Sequence, residues 1–178
     1  MLRTSLIKSS CCLLALSLAG CGLTQGVSEG TKSAYTALFH KKIKVLHLDF
    51  TAREALNTDV RESHSLSESV VVRVYQLKDR KNFDKTLYQQ LLKDGENLLH
   101  ADLLASRDVV VKPDGDASLD MPMEEDAQFV AVVGLFRHPD MINNTWKQVI
   151  KRDDLDPDEP RILEAGSNHL TLQPVKDS

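Results

Sequence analysis

The chain has cysteine only where it cannot form a fold-stapling bridge. Its three cysteines, Cys11, Cys12 and Cys21, all fall within the first 21 of 178 residues, so the rest of the chain has no thiol to pair and a disulfide scaffold is excluded. No apolar stretch approaches the roughly 20 residues that a membrane-spanning helix needs. There is no basic run, and the formal net charge is −4. Nucleic-acid binding depends on clustered cations facing phosphates, so that class of partner is excluded. Catalytic signatures are missing too: there is no Gly-x-Ser-x-Gly elbow, no phosphate-cradling glycine loop and no nucleophile with an ordered base. The histidines, His40, His47, His64, His100, His138 and His169, are scattered without metal-ligand spacing. Asp154, Asp156 and Asp158 begin like a calcium loop, but the sixth position is Glu159 instead of glycine and Pro160 follows. The chain is therefore expected not to be an enzyme and to hold neither metal nor cofactor. It has no internal repeat and no low-complexity segment.

What is present begins at the N-terminus. Arg3 and Lys8 form a cationic n-region, Cys11 to Leu18 a short apolar h-region, and Leu18-Ala19-Gly20 supplies small residues directly before Cys21. This is the pattern of a lipoprotein signal, cut immediately before a cysteine that is then acylated. More than one acyl chain converts marginal membrane binding into stable anchoring. Residues 1–20 are read as the cleaved signal and 21–40 as lipidated cysteine plus tether. Gly22 to Gly30 is rich in Gly, Ser, Thr and Gln, and a flexible stretch of this length reaches only about 20 to 25 Å. Gly22 stands where inner-membrane-retained lipoproteins of enteric bacteria generally carry aspartate, so the outer membrane is the expected location. Cleavage removes Arg3 and Lys8, leaving 158 residues with 20 cations against 26 anions, a net charge of −6. That length suits one domain, 41–178.

From Lys42 the pattern has period two, with Leu46, Leu48 and Phe50 on one face, as in a half-buried strand. Arg53 to Ser67 is polar and reads as a long exposed loop. Val70 to Leu77 is apolar on both faces at first, the mark of a strand inside a sheet. Spacing then becomes helical: Phe83, Leu87, Tyr88, Leu91 and Leu92 share a face, Gly95 can close that helix, and Leu98, Leu99, Leu103 and Leu104 form a second cluster. A helical insert is expected over about 80–106, docked through Phe83 and Leu87. Val109 to Val111, the Asp114-Gly115 turn and the alternating Leu119, Met121 and Met123 read as a hairpin. Phe129 to Phe136, the most apolar run, reads as a core strand. Trp146–Ile150, Arg161–Glu164 and His169–Gln173 complete eight strands, with an acidic loop from Asp153 to Pro160. Arg73 and Tyr75, on a strand of alternating Val, are read as packing residues. Eight short strands with one helical insert predict an antiparallel β-sandwich; a small barrel with a helical appendage would bury the same residues.

With these residues in view the chain resembles the TssJ (SciN) family, outer-membrane lipoproteins of the type VI secretion system. The resemblance rests on Cys21 in its lipobox, on Val70-Val71-Val72-Arg73-Val74-Tyr75-Gln76-Leu77-Lys78-Asp79 followed by Phe83, and on Asp102-Leu103-Leu104. Val130-Ala131-Val132-Val133 leading to Phe136-Arg137, and then Trp146, continue it in order. It implies a transthyretin-like antiparallel β-sandwich of two four-stranded sheets with a small helical insert, and no enzymatic activity. It also implies a partner, the periplasmic C-terminal domain of the inner-membrane protein TssM, with TssL joined indirectly through the membrane complex. The lipid anchor would lie in the outer membrane, with the domain facing the periplasm. In that family the loop between the first two strands carries the TssM contact, which places it here in Asn57, Thr58, Asp59, Val60, Arg61, Glu62, Ser63, His64, Ser65 and Leu66. Polar groups with Val60 and Leu66 as apolar anchors suit an interface with a polar rim. No fixed family motif falls inside the loop, so the segment is assigned and not its single contacts. The alternative is a periplasm-facing lipoprotein that binds a small ligand between its sheets, which requires a roomy interior.

Cys21→Ser is expected to give a folded protein that still binds the TssM fragment but no longer supports secretion. Intact secretion by that variant, assayed by effector release, would overturn the anchoring role.

Overall fold

The computed structural model describes residues 42–59, 61 and 65–175. The signal, Cys21 and the tether lie outside the described residues. Eight strands are present among the described residues: β1 (Val45–Ala52), β2 (Val70–Leu77), β3 (Leu103–Val111), β4 (Asp116–Pro122), β5 (Phe129–Gly134), β6 (Lys147–Lys151), β7 (Arg161–Ala165) and β8 (Leu170–Leu172). Helices α1 (Lys81–Lys85) and α2 (Tyr88–Leu99) lie between β2 and β3. The strands form two four-stranded sheets, ordered β4-β1-β7-β8 and β3-β2-β5-β6. The expected sandwich of two four-stranded sheets is the observed one, with a single parallel pairing, β1 with β7, in the first sheet.

Alternation explains the core. Leu46, Leu48 and Phe50 of β1 are at most 1 % exposed, and facing them from β2 are Val70, Val72 and Val74, equally buried. At the next inward position of β2 stands Gln76, fully buried. Its Nε2 donates to Pro122 O and its Oε1 accepts from Glu124 N, both at 2.8 Å. A buried amide is tolerated because both ends are satisfied, and here it ties one sheet to the end of the other.

The β3-β2-β5-β6 sheet is covered on its outer face as well. Tyr75, Leu77, Ala131 and Val133 have the outward parity yet are fully buried, because the helical insert lies over them. Phe83 meets Tyr75 edge-on at 6.4 Å, and Tyr88 meets Trp146 edge-on at 5.1 Å while donating its hydroxyl to Phe136 O. Lys147 Nζ sits 4.9 Å from the Trp146 ring centre and 5.2 Å from that of Phe83. Its burial there pushes its pKa down. Gly134 is needed for close approach: a Cβ there would come within 2.3 Å of the Phe136 ring.

The insert departs from the expectation in four ways. It ends at Leu99, because Leu103 and Leu104 extend β3 to pair with the end of β2 across a bulge at Gln76/Leu77; ladder pairing overrides their helical spacing. Its first helix stops at Lys85. Leu87 is therefore not a docking anchor but is 62 % exposed, and Phe83, Tyr88, Leu91 and Leu99 do the docking. Gly95 marks a break and not the end of the insert: helical geometry is interrupted at Asp94 (φ −154°, ψ 40°) and resumes to Leu99, with Gly95 lying against the Tyr75 hydroxyl.

The expected hairpin at Asp114-Gly115 is instead a crossover. β3 belongs to one sheet and β4 to the other. The turn, with Asp114 at φ 51°, is fastened to the end of β1 by Ala52 N donating to Gly115 O and Asp114 N donating to Arg53 O. Local turn chemistry read correctly as a turn, but it could not say which sheet receives the next strand.

Phe83→Ala should destabilise the domain by about 3 to 5 kcal/mol, the usual cost of truncating a fully buried phenylalanine. Chemical denaturation followed by circular dichroism measures it.

Candidate functional site

Three connections meet at one end of the sandwich: the β1–β2 loop (53–69), the β5–β6 loop (135–146) and the β7–β8 turn (166–169). The first is not the freely exposed loop its composition predicts. Leu56 is fully buried, and Asn57 and Asp59 are 4 % and 6 % exposed. Short loops with buried polar residues hold their shape only if those groups are satisfied.

Asn57 takes the left-handed backbone conformation (φ 51°) that asparagine tolerates. Its Nδ2 donates to Ser69 O at 3.2 Å and its Oδ1 accepts from Arg137 N at 2.8 Å, joining the first two loops. Thr58 joins the third: its N–H donates to Ser167 O, and Asn168 Nδ2 donates to Thr58 O at 3.1 Å. Glu68 accepts from Arg137 at 2.7 Å.

Asp59 is the charge at the centre. Its Oδ1 accepts from the Arg61 backbone N–H and Nε, both at 3.0 Å, and its Oδ2 from an Arg61 amino group at 2.9 Å. The Asp59 N–H donates to Ser65 Oγ at 2.5 Å. His138 Nε2 lies 2.8 Å from Asp59 Oδ2 and 3.0 Å from the Arg61 amino nitrogen. With its proton on Nε2 the His138 ring donates to Asp59 Oδ2, and with Nε2 bare it accepts from the Arg61 guanidinium, which only donates. These partners, Arg61 hydrogen bonds first, hold the Asp59 carboxyl well below its ordinary value of 3.8. A buried carboxylate kept ionised in this way needs every one of its partners.

Of the loop residues expected to meet a partner, Asn57, Thr58, Asp59, Arg61 and Ser65 are brought together, and the buried ones shape the loop from within. Leu66 is 78 % exposed. Val60, Glu62, Ser63 and His64 lie outside the described residues. Sequence reasoning missed the other half of this end: Arg137, His138 and Asn168, which brace the loop, and Met141 and Ile142, which are 48 % and 89 % exposed. The signal for the last two was an apolar pair inside the otherwise polar Pro139–Asn144 stretch. Asp140 orders them by accepting from the N–H groups of Ile142 and Asn143. Among the described residues no cluster of His, Cys, Asp and Glu is arranged to hold a metal.

The fold is a two-sheet β-sandwich with a filled interior and a braced three-loop end. A family model described as type VI secretion lipoprotein, including VasD, EvfM and TssJ, matches residues 44–173. The chain belongs to that family, a structural lipoprotein component of the secretion system. It is similar over 75 % of its length, at 45 % identity and TM-score 0.67, to a whole chain in a structure described as the C-terminal domain of the T6SS protein TssM from EAEC. A chain from a structure described as a type VI membrane complex matches with the same identity and coverage and TM-score 0.69. The Serratia marcescens Lip structure, described as a membrane-bound component of the type VI secretion system, shares the fold at 19 % identity and TM-score 0.63, with 74 % of this chain covering 98 % of that one. Among curated protein sequences there is no match.

Asp59→Asn tests the bracing and its pH dependence. The folded pKa is depressed, so the contribution of the ionised carboxylate is fully present above about pH 4 and is lost as pH falls below it. The stability difference between wild type and variant, followed by denaturation at stepped pH, should be largest near neutrality and shrink in acid. A difference independent of pH would mean the carboxylate is not what braces the loop.

Proposed function

We propose that the chain is an outer-membrane-anchored lipoprotein whose braced loop end binds the periplasmic C-terminal region of TssM. Through TssM, and indirectly TssL, it would fasten the trans-envelope membrane complex to the outer membrane. Its work is binding and positioning, without catalysis, and its anchor is the lipid on Cys21.

The observation that carries this reading is the preorganised end itself. Asn57 and Asp59 are buried and satisfied, while Leu66, Met141 and Ile142 stand exposed among polar neighbours at the same end. A rigid surface loses little conformational entropy on binding, and exposed apolar side chains ringed by polar groups are the composition of an interface core and rim. The 45 % identity to chains from structures described by TssM and by the membrane complex supports the choice of partner. The alternative of a ligand held between the sheets is disfavoured by inward faces whose Leu, Val and Phe side chains are buried against one another.

Titration calorimetry of the 41–178 domain against the TssM C-terminal fragment should give binding that is abolished when Asn57–Leu66 is replaced by a glycine-serine linker. Circular dichroism should show the sandwich intact. Ile142→Asp should weaken binding about tenfold or more, as for an anchor near the centre of an interface. Unchanged binding in the linker variant would move the interface elsewhere on the sandwich. No binding between two folded fragments would return the small-ligand reading.

A further inference from the structure

At the other end of the molecule the two sheets part. β6 and β8 are the outer strands of their sheets on the same side, and they begin together: Leu170 N donates to Thr145 O, and Gln148 Nε2 donates to Leu170 O. Beyond that point they diverge and leave an open groove of about 890 Å³. Its apolar lining includes Leu155, Pro160, Leu172 and Val175, and its polar rim includes Asp153, Asp154, Asp156 and Glu159. All four rim residues are exposed. Two arginines close by are already engaged. Arg161 donates to the carbonyls of Asp154 and Gln173, tying the two walls together. Arg152 donates to the carbonyls of Ile43, Glu124, Glu125 and Ala127.

Backbone geometry says what shape of occupant fits. In an antiparallel ladder, residues alternate between pointing their N–H and C=O at the partner strand and pointing them away. Gly134 N donates to Trp146 O and Arg152 N to Gln128 O, so the inward-bonding positions of β6 are the even-numbered ones, and Val149 directs its backbone groups outward. On β8, Gln173 N donates to Ile162 O and Gly166 N to His169 O. Leu172 therefore directs its groups outward as well. The groove thus lies between two strand edges that are unpaired among the described residues, with an apolar floor, the arrangement that accepts an added strand.

We propose that this groove is a second docking site, distinct from the loop end, for an extended peptide segment of a partner protein that alternates apolar and cationic side chains. Strand pairing to Val149 or Leu172 provides main-chain hydrogen bonds. Alternate apolar side chains enter the floor, and the lysine or arginine residues between them meet the carboxylates of the rim. An acidic segment would place like charges on that rim and is excluded by it.

The test is an NMR titration of the isotope-labelled 41–178 domain, which contains all the described residues. The probe is the capped peptide Lys-Leu-Lys-Val-Lys-Leu, with Glu-Leu-Glu-Val-Glu-Leu as its counterpart. Saturable shifts confined to Val149–Glu159 and Leu172–Val175 are expected with the lysine peptide alone. Affinity should fall about tenfold or more between about 0.05 and 0.5 M salt, since exposed charges are screened. It should fall as far in the variant Asp153→Asn, Asp156→Asn and Glu159→Gln, whose positions are exposed and leave folding intact. Any of four results would overturn the proposal: no shifts at millimolar peptide, equal shifts with the glutamate peptide, the same shifts from calcium chloride alone, or shifts that follow the protein's own concentration.

Discussion

The structure depends on burying the β3-β2-β5-β6 sheet on both faces. A sheet whose strands carry Val, Tyr, Leu and Ala at both parities cannot leave one side in water, since each fully buried aliphatic or aromatic side chain is worth about 1.5 to 3 kcal/mol. One face is covered by the other sheet. The second needs a cover of its own, and the chain places it between β2 and β3, where α1 and α2 fold back over Tyr75 and Val133. The helices are thus part of the core. The Tyr88–Trp146 contact and the Tyr88 bond to Phe136 O also fix the start of the β5–β6 loop. The cover of the sheet and the geometry of the loop end are therefore coupled through a few residues.

That coupling explains what was legible in the sequence. Period-two alternation marked β1, and apolar character at both parities marked β2 and β5 as central, because these signals record burial directly. The two-sheet architecture followed from the number and spacing of strands. Leu103 and Leu104 were misassigned to the helical insert because leucine spacing is compatible with either state, and the decision was made by a distant strand end that needed a partner. The crossover at Asp114-Gly115 was read as a hairpin for a related reason: a turn records how the backbone bends, not which sheet the next strand joins.

The loop end was half legible. Polar composition located the β1–β2 loop, and the family resemblance supplied its role. Composition could not reveal that Asn57 and Asp59 are buried, because part of what packs and satisfies them comes from residues about 80 positions away, Arg137 and His138. Scattered histidines look alike in a sequence; only folding shows that one of them closes on a buried carboxylate. The same holds for the groove, where each wall is an ordinary strand edge and the slot exists only because the two edges separate.

The path of β1 has a mechanical consequence. Lys42 enters at the groove end, where the Ile43 carbonyl is held by Arg152, and the strand leaves at the loop end. A pull between anchor and partner would therefore run along β1. Flanked by β4 over seven residue pairs and by β7 over five, the strand would be loaded in shear. All of its cross-strand bonds would then resist together, instead of parting one after another as in a peeled edge. If the N-terminal side is tethered and the loop end is bound, tension would thus fall on a strand supported along both of its edges.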